Sequence, residues 1–252
     1  MDLTLQVFLI VCPLVFLAGL IDSIAGGGGL ISLPAYLIAG VPPHLALGTN
    51  KLSSCMGTFI STARYIKNKS ADIRLAIPCI ILALIGSSIG ASLALMVDEK
   101  FIKGLLLFII PVVAFYIFRS KSFADESTLN SLSKTKLYFY ASIASFFISM
   151  YDGFYGPGTG TFLLLAFTGL CKMDIRKASG NTKLINLSSN IAALVTFIIN
   201  GKVVFLLGIA ATVFSIAGHY LGSGLVLKNG FKIIRPIILV VLTILFITLL
   251  VK

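Results

Sequence analysis

The sequence predicts an all-α polytopic membrane protein made of two homologous, inverted repeats of about five segments each, roughly eight to ten of them transmembrane. Three observations carry this prediction. The chain is 58% hydrophobic and only 12% charged, with a mean hydropathy of +1.04, whereas a soluble domain carries about 25% charged residues. The stretches 3–21, 75–97 and 203–227 contain no charge and are each about as long as the 20 residues a bilayer span requires. Finally, one unusual pattern occurs twice: GLIDSIAGGGGLISLPAYL at 19–37 and SMYDGFYGPGTGTFLLLAF at 149–167.

In each copy an apolar run ends in aspartate, then a glycine-rich break, then a second short apolar run. Asp22 lies 130 residues before Asp152. Further on, Lys51-Leu52 matches Lys183-Leu184 and GSSIGASL at 86–93 matches GHYLGSGL at 218–225, both at an offset of 132. The halves are therefore 3–118 and 137–251, joined by a polar linker at 119–136. The N-terminal MDLTLQVF has no positively charged region and reads as the start of the first span, not a removed signal peptide.

The first half divides into segments at 3–22, 29–40, 51–66, 75–97 and 101–118. The second divides at 137–154, 159–171, 183–199, 203–227 and 234–251. The second segment of each half is too short for an ordinary span and suits a half-helix, with broken backbone at the glycines. An odd number of segments inverts the second half relative to the first, and the loop charges agree. GVPPHLALGTN, before Lys51, has no Lys or Arg, while its counterpart carries Lys172, Arg176 and Lys177. The next loop carries Lys67, Lys69 and Arg74 against Lys202 alone, and the acids around Asp98 and Glu99 balance Lys100 where the counterpart has Lys228, Lys232 and Arg235. All three loops swap their basic bias between halves. This is a positive-inside pattern with a cytoplasmic linker. It also accounts for the net charge of +11 without nucleic acid, since the charges form short clusters between apolar runs and no continuous basic patch.

A carboxylate beside broken backbone is costly in a bilayer and marks function. A helix that starts inside the membrane points unsatisfied N–H groups and the positive end of its dipole at the break. Gly26, Gly27, Gly28 and Gly29, and Gly156, Gly158, Thr159 and Gly160 with Pro157 between, are thus candidate anion cradles facing each other. Gly86 reads as a packing position where alanine leaves binding largely intact. No Gly-Lys-Ser/Thr follows the glycines, so no nucleotide loop is expected.

The second constellation is polar. Asn50-Lys51 and Asn181-Thr182-Lys183 stand at the heads of matching spans. There the lysines either snorkel to the headgroups or reach inward as counter-charges to Asp22, Asp152 or substrate. Asn186 and Asn190 share a face with Lys183. His219 is the single histidine within a long apolar run, either a packing residue or a proton relay, while His44 falls in a proline-rich loop and Cys12, Cys55, Cys79 and Cys171 read as small packing residues. No catalytic set, metal cluster or cofactor motif is present.

The segments IDSIAGGGGLISLPAYLIAGVPPHLALGTNKLSS and YDGFYGPGTGTFLLLAF followed by ASGNTKLINLSSNIAAL resemble the sulfite exporter TauE/SafE family, also called the toluene sulfonate uptake permease family. The resemblance covers nearly the whole chain, and is greatest to the family's short branch of membrane transporters whose substrate is not known. It implies a multi-pass transporter of the bacterial cytoplasmic membrane, often for sulfur-containing or organic anions. The expected function is secondary transport of small anions, with proton coupling at Asp22 or Asp152. An anion channel and a membrane assembly factor are the alternatives. The expected partners are the anion and the lipid bilayer, with a homodimer as one option and no nucleic acid.

The swapped loop charges predict that Lys67, the linker near Ser127, and Lys228 are all cytoplasmic and that both termini are outside. Cysteine-accessibility labelling on a cysteine-free background checks this. Labelling of Ser127→Cys and Lys252→Cys from the same side of the membrane would exclude five segments per half.

Overall fold

The computed structural model describes residues 3–98 and 132–229, together with Ile233 and Pro236. Segment 101–118, most of 234–251 and the linker up to residue 131 lie outside the described residues. Those described form an all-α polytopic membrane protein. The first half contributes α1 (Leu5–Ala25), α2 (Gly29–Ile38), α3 (Pro43–Lys67) and α4 (Ile73–Met96). The second contributes α5 (Lys134–Phe154), α6 (Thr159–Leu165) continued by a π-helical turn (Ala166–Leu170), α7 (Ile175–Ile199) and α8 (Phe205–Asn229). α5 begins at Lys134, inside the stretch read as linker.

The helix starts follow from local chemistry. Asp72 caps α4 by accepting from the Arg74 and Leu75 N–H groups, and Asp174 caps α7 by accepting from Lys177. α3 opens on Pro43, whose missing N–H is harmless in the first turn. α1, α4, α7 and α8 are each long and apolar enough to cross a bilayer. α2 and α6 are the short apolar helices expected after the breaks.

The packing is reciprocal between halves. α1 lies along α8, and its counterpart α5 lies along α4. α3 packs on α8 as α7 packs on α4, and α3 and α7 touch each other at the centre. Exposed Leu9, Ile81, Phe147 and Val213 give the bundle an apolar outer face, where lipid replaces protein as solvent. Small residues set the helix spacing, as in other membrane bundles. A Cβ at Gly90 would lie 1.9 Å from the Met150 carbonyl oxygen, and one at Gly218 2.2 Å from that of Phe16. Gly86 is such a position too, but a Cβ there would sit 2.4 Å from the Phe146 carbonyl oxygen. Gly86 is thus a packing position, as the sequence suggests, and a methyl there would push on rigid backbone.

A second correction concerns α3 and α7. The stretch before Lys51 was expected to be a loop and is helical from Pro43, and its counterpart is helical from Ile175. His44 is accordingly a buried helix residue, its Nε2 lying 3.0 Å from the Ala94 carbonyl oxygen. Polarity misled the reading: Thr49, Asn50 and Lys51 look like a helix start, yet they occupy the buried face of a helix already under way. Lys51 and Lys183 are each the ninth residue of a 25-residue helix. That places them deep in the bundle, so snorkelling does not apply.

The two breaks meet at the centre. Gly26 adopts φ +75°, and a Cβ there would lie 2.3 Å from the Gly160 carbonyl carbon. Thr161 Oγ1 donates to the Ala25 carbonyl across the same seam at 3.2 Å. Gly40 also has positive φ, at +82°, but faces open space. Gly40→Ala should thus lose only the backbone strain of about 1–2 kcal/mol. Gly26→Ala should lose that and the seam contact, with a visibly larger fall in melting temperature measured side by side in one detergent. Equal losses would mean that the seam is loose.

Candidate functional site

The ends of α1 and α5 and the starts of α2 and α6 enclose one central cavity with the middle of α3 and α7. Each aspartate sits in the last turn of its helix, Asp22 four residues before Gly26 and Asp152 three before Tyr155. The break that follows frees the backbone there. Gly28 then returns its N–H to Asp22 Oδ1 at 3.0 Å.

The lysines reach the aspartates of the opposite half. Lys51 of the first half donates to Asp152 Oδ2 at 2.7 Å and to Asn190 Oδ1 at 3.0 Å. Ser189 Oγ also donates to Asp152 Oδ2. Lys183 of the second half donates to the Asp22 carbonyl and lies 3.5 Å from Asp22 Oδ2, with His219 Nε2 at 3.8 Å from the same oxygen. The side chains of both lysines are only 3–4% exposed. A buried charge at this depth is held only if paired and hydrogen-bonded. Crossing the pairs satisfies that condition and joins the halves by two ionic contacts.

Most sequence-predicted site residues converge here. Asp22, Gly27, Gly28, Gly29, Asn50, Lys51, Asp152, Gly156, Gly158, Thr159, Gly160, Asn186 and Asn190 all line the cavity. Lys183 joins through Asp22. Two predicted residues do not. Gly26 is used in the seam against Gly160, and Asn181 turns back to its own helix, its Nδ2 donating to the Lys177 carbonyl at 2.9 Å. The cradle at Gly28 is also different in kind. Its N–H is bound to Asp22, and a Cβ would meet the Ala18 carbonyl oxygen at 2.5 Å and Asp22 Cβ at 2.7 Å. Gly28 therefore seats the carboxylate, and a bulky residue there disturbs Asp22 before it blocks any ligand.

Donors for a guest remain. Leu30, Ile31 and Ser32 find acceptors in the Gly27 and Gly28 carbonyls, whereas no acceptor among the described residues takes the first-turn N–H of Gly29 or of Gly160. The Asn50 amide oxygen is buried without a partner among the described residues, and turning the amide over presents its NH₂ to the cavity instead. The space open to the centre of a water-sized sphere is about 30 Å³. One water needs about 10–15 Å³ of such space, so the cavity takes a guest the size of two or three waters. Sequence reasoning missed Ser189, Ser32 and Ser215, whereas Ser54, on the polar stripe with Ser53 and Thr58, lines the cavity as its sequence position suggests. The signal for Ser189 lay in the helical spacing, since it is three residues beyond Asn186 and so shares its face. His219, expected to be either packing or relay, stands at the cavity wall.

Against known proteins, the family model described as sulfite exporter TauE/SafE matches residues 11–249. A "Probable membrane transporter protein" of Haemophilus influenzae is 33% identical over 95% of this chain and 93% of its own. The "Probable membrane transporter protein YfcA" of Escherichia coli K12 is 37% identical over 89% of this chain and 82% of its own, and YunE of Bacillus subtilis, named likewise, is 26% identical over 93% and 94%. No solved structure matches the chain. With its apolar helices and near-complete match, the chain belongs to the sulfite exporter TauE/SafE family and is a multi-pass membrane transporter of the bacterial cytoplasmic membrane.

Proposed function

We propose that the protein is a secondary transporter that moves small anions of the sulfite or sulfonate type, coupled to protons, without chemical change. The two halves are read as inverted repeats of five segments, rocking about the cavity between them. The observation that carries this reading is the pair of crossed Lys–Asp contacts lining one small central cavity.

Charge couples the anion to the proton. With both pairs formed, the site is neutral and offers an anion little. An anion that takes a lysine from its aspartate leaves a carboxylate alone at low dielectric, which is prohibitive. Protonating that aspartate removes the penalty. Anion entry and proton uptake are thereby linked, because each makes the other favourable. The Gly29 and Gly160 N–H groups, at helix N-termini, then add donors suited to oxygen ligands. The reading of the substrate as sulfite-like rests on the family's name, and the cavity size supports a small guest.

Thermal shift of the purified protein against sulfite, methanesulfonate, sulfate and acetate tests binding. At least one of the first two should raise the melting temperature. Lys183→Gln should weaken that binding by about 1.5–3 kcal/mol, the scale of a hydrogen bond to a charged group, and Lys183→Arg should restore part of it. In proteoliposomes the flux should saturate and show counterflow, and Asp22→Asn or Asp152→Asn should abolish the part driven by a pH gradient. Non-saturating flux without counterflow would indicate a channel. Unchanged flux in both aspartate variants would remove the carboxylates from the mechanism.

A further inference from the structure

The two poles of the cavity come from the same repeat but differ at matched positions. At the offset of 132, Ser189 corresponds to Gly57, Ser87 to His219 and Ala83 to Ser215. At the offset of 130 that relates the aspartates, Ser149 corresponds to Gly19. These four exchanges meet at one place. The His219 ring lies against both glycines: a Cβ at Gly57 would be 2.4 Å from its Cδ2, and one at Gly19 would be 3.0 Å from the same atom. With the serines of the other half in those positions, the imidazole would not fit. Conversely, a Cβ at Gly57 would lie 2.2 Å from Ser215 Oγ, where the other half has the smaller alanine. One pole is cut to admit a titratable ring and the other is not.

The hydrogen bonds divide the same way. Asp152 accepts from the Lys51 ammonium at 2.7 Å and from the Ser189 hydroxyl, and Ser87 Oγ donates to the Ser189 carbonyl at 2.6 Å. No histidine is near. At the other pole Lys183 stands farther from the carboxylate, at 3.5 Å, and is held partly by the Asp22 carbonyl. The Asp22 side chain is 14% exposed against 3% for Asp152. Ser61 Oγ lies 3.0 Å from the Thr58 carbonyl oxygen and 3.1 Å from His219 Nδ1. A hydroxyl has one proton, and the Thr58 carbonyl can only accept. With that proton on Thr58, Nδ1 must carry its own hydrogen and donate to Ser61. Nε2 then presents a bare lone pair to Asp22 Oδ2 across 3.8 Å. At 3.8 Å the two are not hydrogen-bonded, but a proton taken up at Nε2 would sit beside the Asp22 carboxylate, whose charge stabilises it.

The surroundings permit this. α8 packs on α1 and α3. α1 supplies Asp22. From α3 come Ser61 and Tyr65, whose phenol donates to the Ser23 carbonyl, while Arg64 is engaged with the carbonyl and ring of Tyr220. Lys183 arrives from α7, and Lys51 and Asp152 close the opposite pole.

We infer that Asp22 and His219 form the proton-binding pole of the transporter, taking up one proton at Nε2 beside the Asp22 carboxylate, while Lys51 and Asp152, with Ser189 donating to the carboxylate, form a fixed ion pair. This rests on the proton-coupled reading above and assigns its proton to one half of the repeat. The proton comes from solvent hydronium, whose O–H bond breaks as an N–H bond forms at Nε2, and no other covalent bond changes. The imidazolium so formed offsets the Asp22 charge that holds Lys183, and Lys183, still an ammonium, becomes the partner of the anion.

Two measurements separate this inference from the anion reading. The chain has two histidines, so ¹⁵N-histidine NMR of the ligand-free protein is simple to assign, using His44→Gln to identify the other signal. The His219 Nε2 signal should titrate in one step, and Asp22→Asn should move the midpoint to lower pH, because removing a negative neighbour disfavours the imidazolium. A His219 midpoint indifferent to Asp22→Asn, or shifted as much by Asp152→Asn, would overturn the inference whether or not any anion binds. The second measurement is proton uptake in weak buffer on adding methanesulfonate, an anion that takes no proton itself. The full-length protein should take up about one proton per anion bound. The variant Gly57→Ser/Ser215→Ala/His219→Ser, which copies the other pole, should lose most of this uptake, and so should His219→Gln, which needs no repacking at Gly57. Undiminished uptake in a folded His219→Gln protein would refute the role of His219. Failure of the unaltered protein to bind methanesulfonate counts against the anion reading, and the NMR titration then decides the proton pole alone.

Discussion

Two buried lysines, each the ninth residue of its helix, constrain the rest of the structure. An unpaired ammonium at this depth is untenable, because the insertion cost of a charge at a helix centre is roughly 2.5–3.5 kcal/mol before any burial against protein. Each lysine must meet a carboxylate, and each carboxylate must be presented by backbone that can turn towards it. The glycine breaks after α1 and α5 supply that turn, and the short helices α2 and α6 close the space behind it. Because the partner of each lysine belongs to the other half, neither half satisfies its own charges. The charges are satisfied only when the two halves of the chain interlock.

The same condition explains the division between inside and outside. α3 and α7 carry the polar residues and meet at the centre, while α1, α4, α5 and α8 turn apolar faces outward. Close approach of these helices depends on glycines whose missing side chains sit against carbonyl oxygens of the neighbour, as at Gly90 and Gly218. A polar core of this kind is stable only if its members are satisfied. Lys51, Asp152, Asn190 and Ser189 meet that standard closely. The Asp22 pole meets it loosely, and a looser pair is the one more readily exchanged for a ligand.

The breaks and the short second helices were legible in the sequence because each rests on a local signal: an apolar run, a glycine cluster, an aspartate at its head. The convergence of Asp22, Lys51, Asp152 and Lys183 was legible as an alternative, since two lysines at matched positions are hard to explain as headgroup anchors. The helix starts were not. Asn50 and Thr49 have the chemistry of a cap, and only the tertiary packing shows that in mid-helix Asn50 lines the buried cavity while Thr49 accepts from the Val204 N–H. Gly26 and Gly28 were read as ligand cradles because a sequence does not reveal what a glycine faces; one faces the opposite break and the other seats a carboxylate. His219 could not be placed from sequence, because its surroundings come from Gly19 and Gly57 on two other helices.

The central claim is that the charges pair across the repeats. A double-mutant cycle measures it directly, with Lys51→Met, Asp152→Leu and Asp22→Leu in combination and unfolding followed in one detergent. Lys51 and Asp152 should show a coupling energy at the upper end of the roughly 0.5–3 kcal/mol range seen for residues in contact, with the double variant more stable than either single one. Lys51 and Asp22, of the same half, should be additive within about 0.3–0.5 kcal/mol. Strong coupling of Lys51 to Asp22 with none to Asp152 would contradict the crossed arrangement.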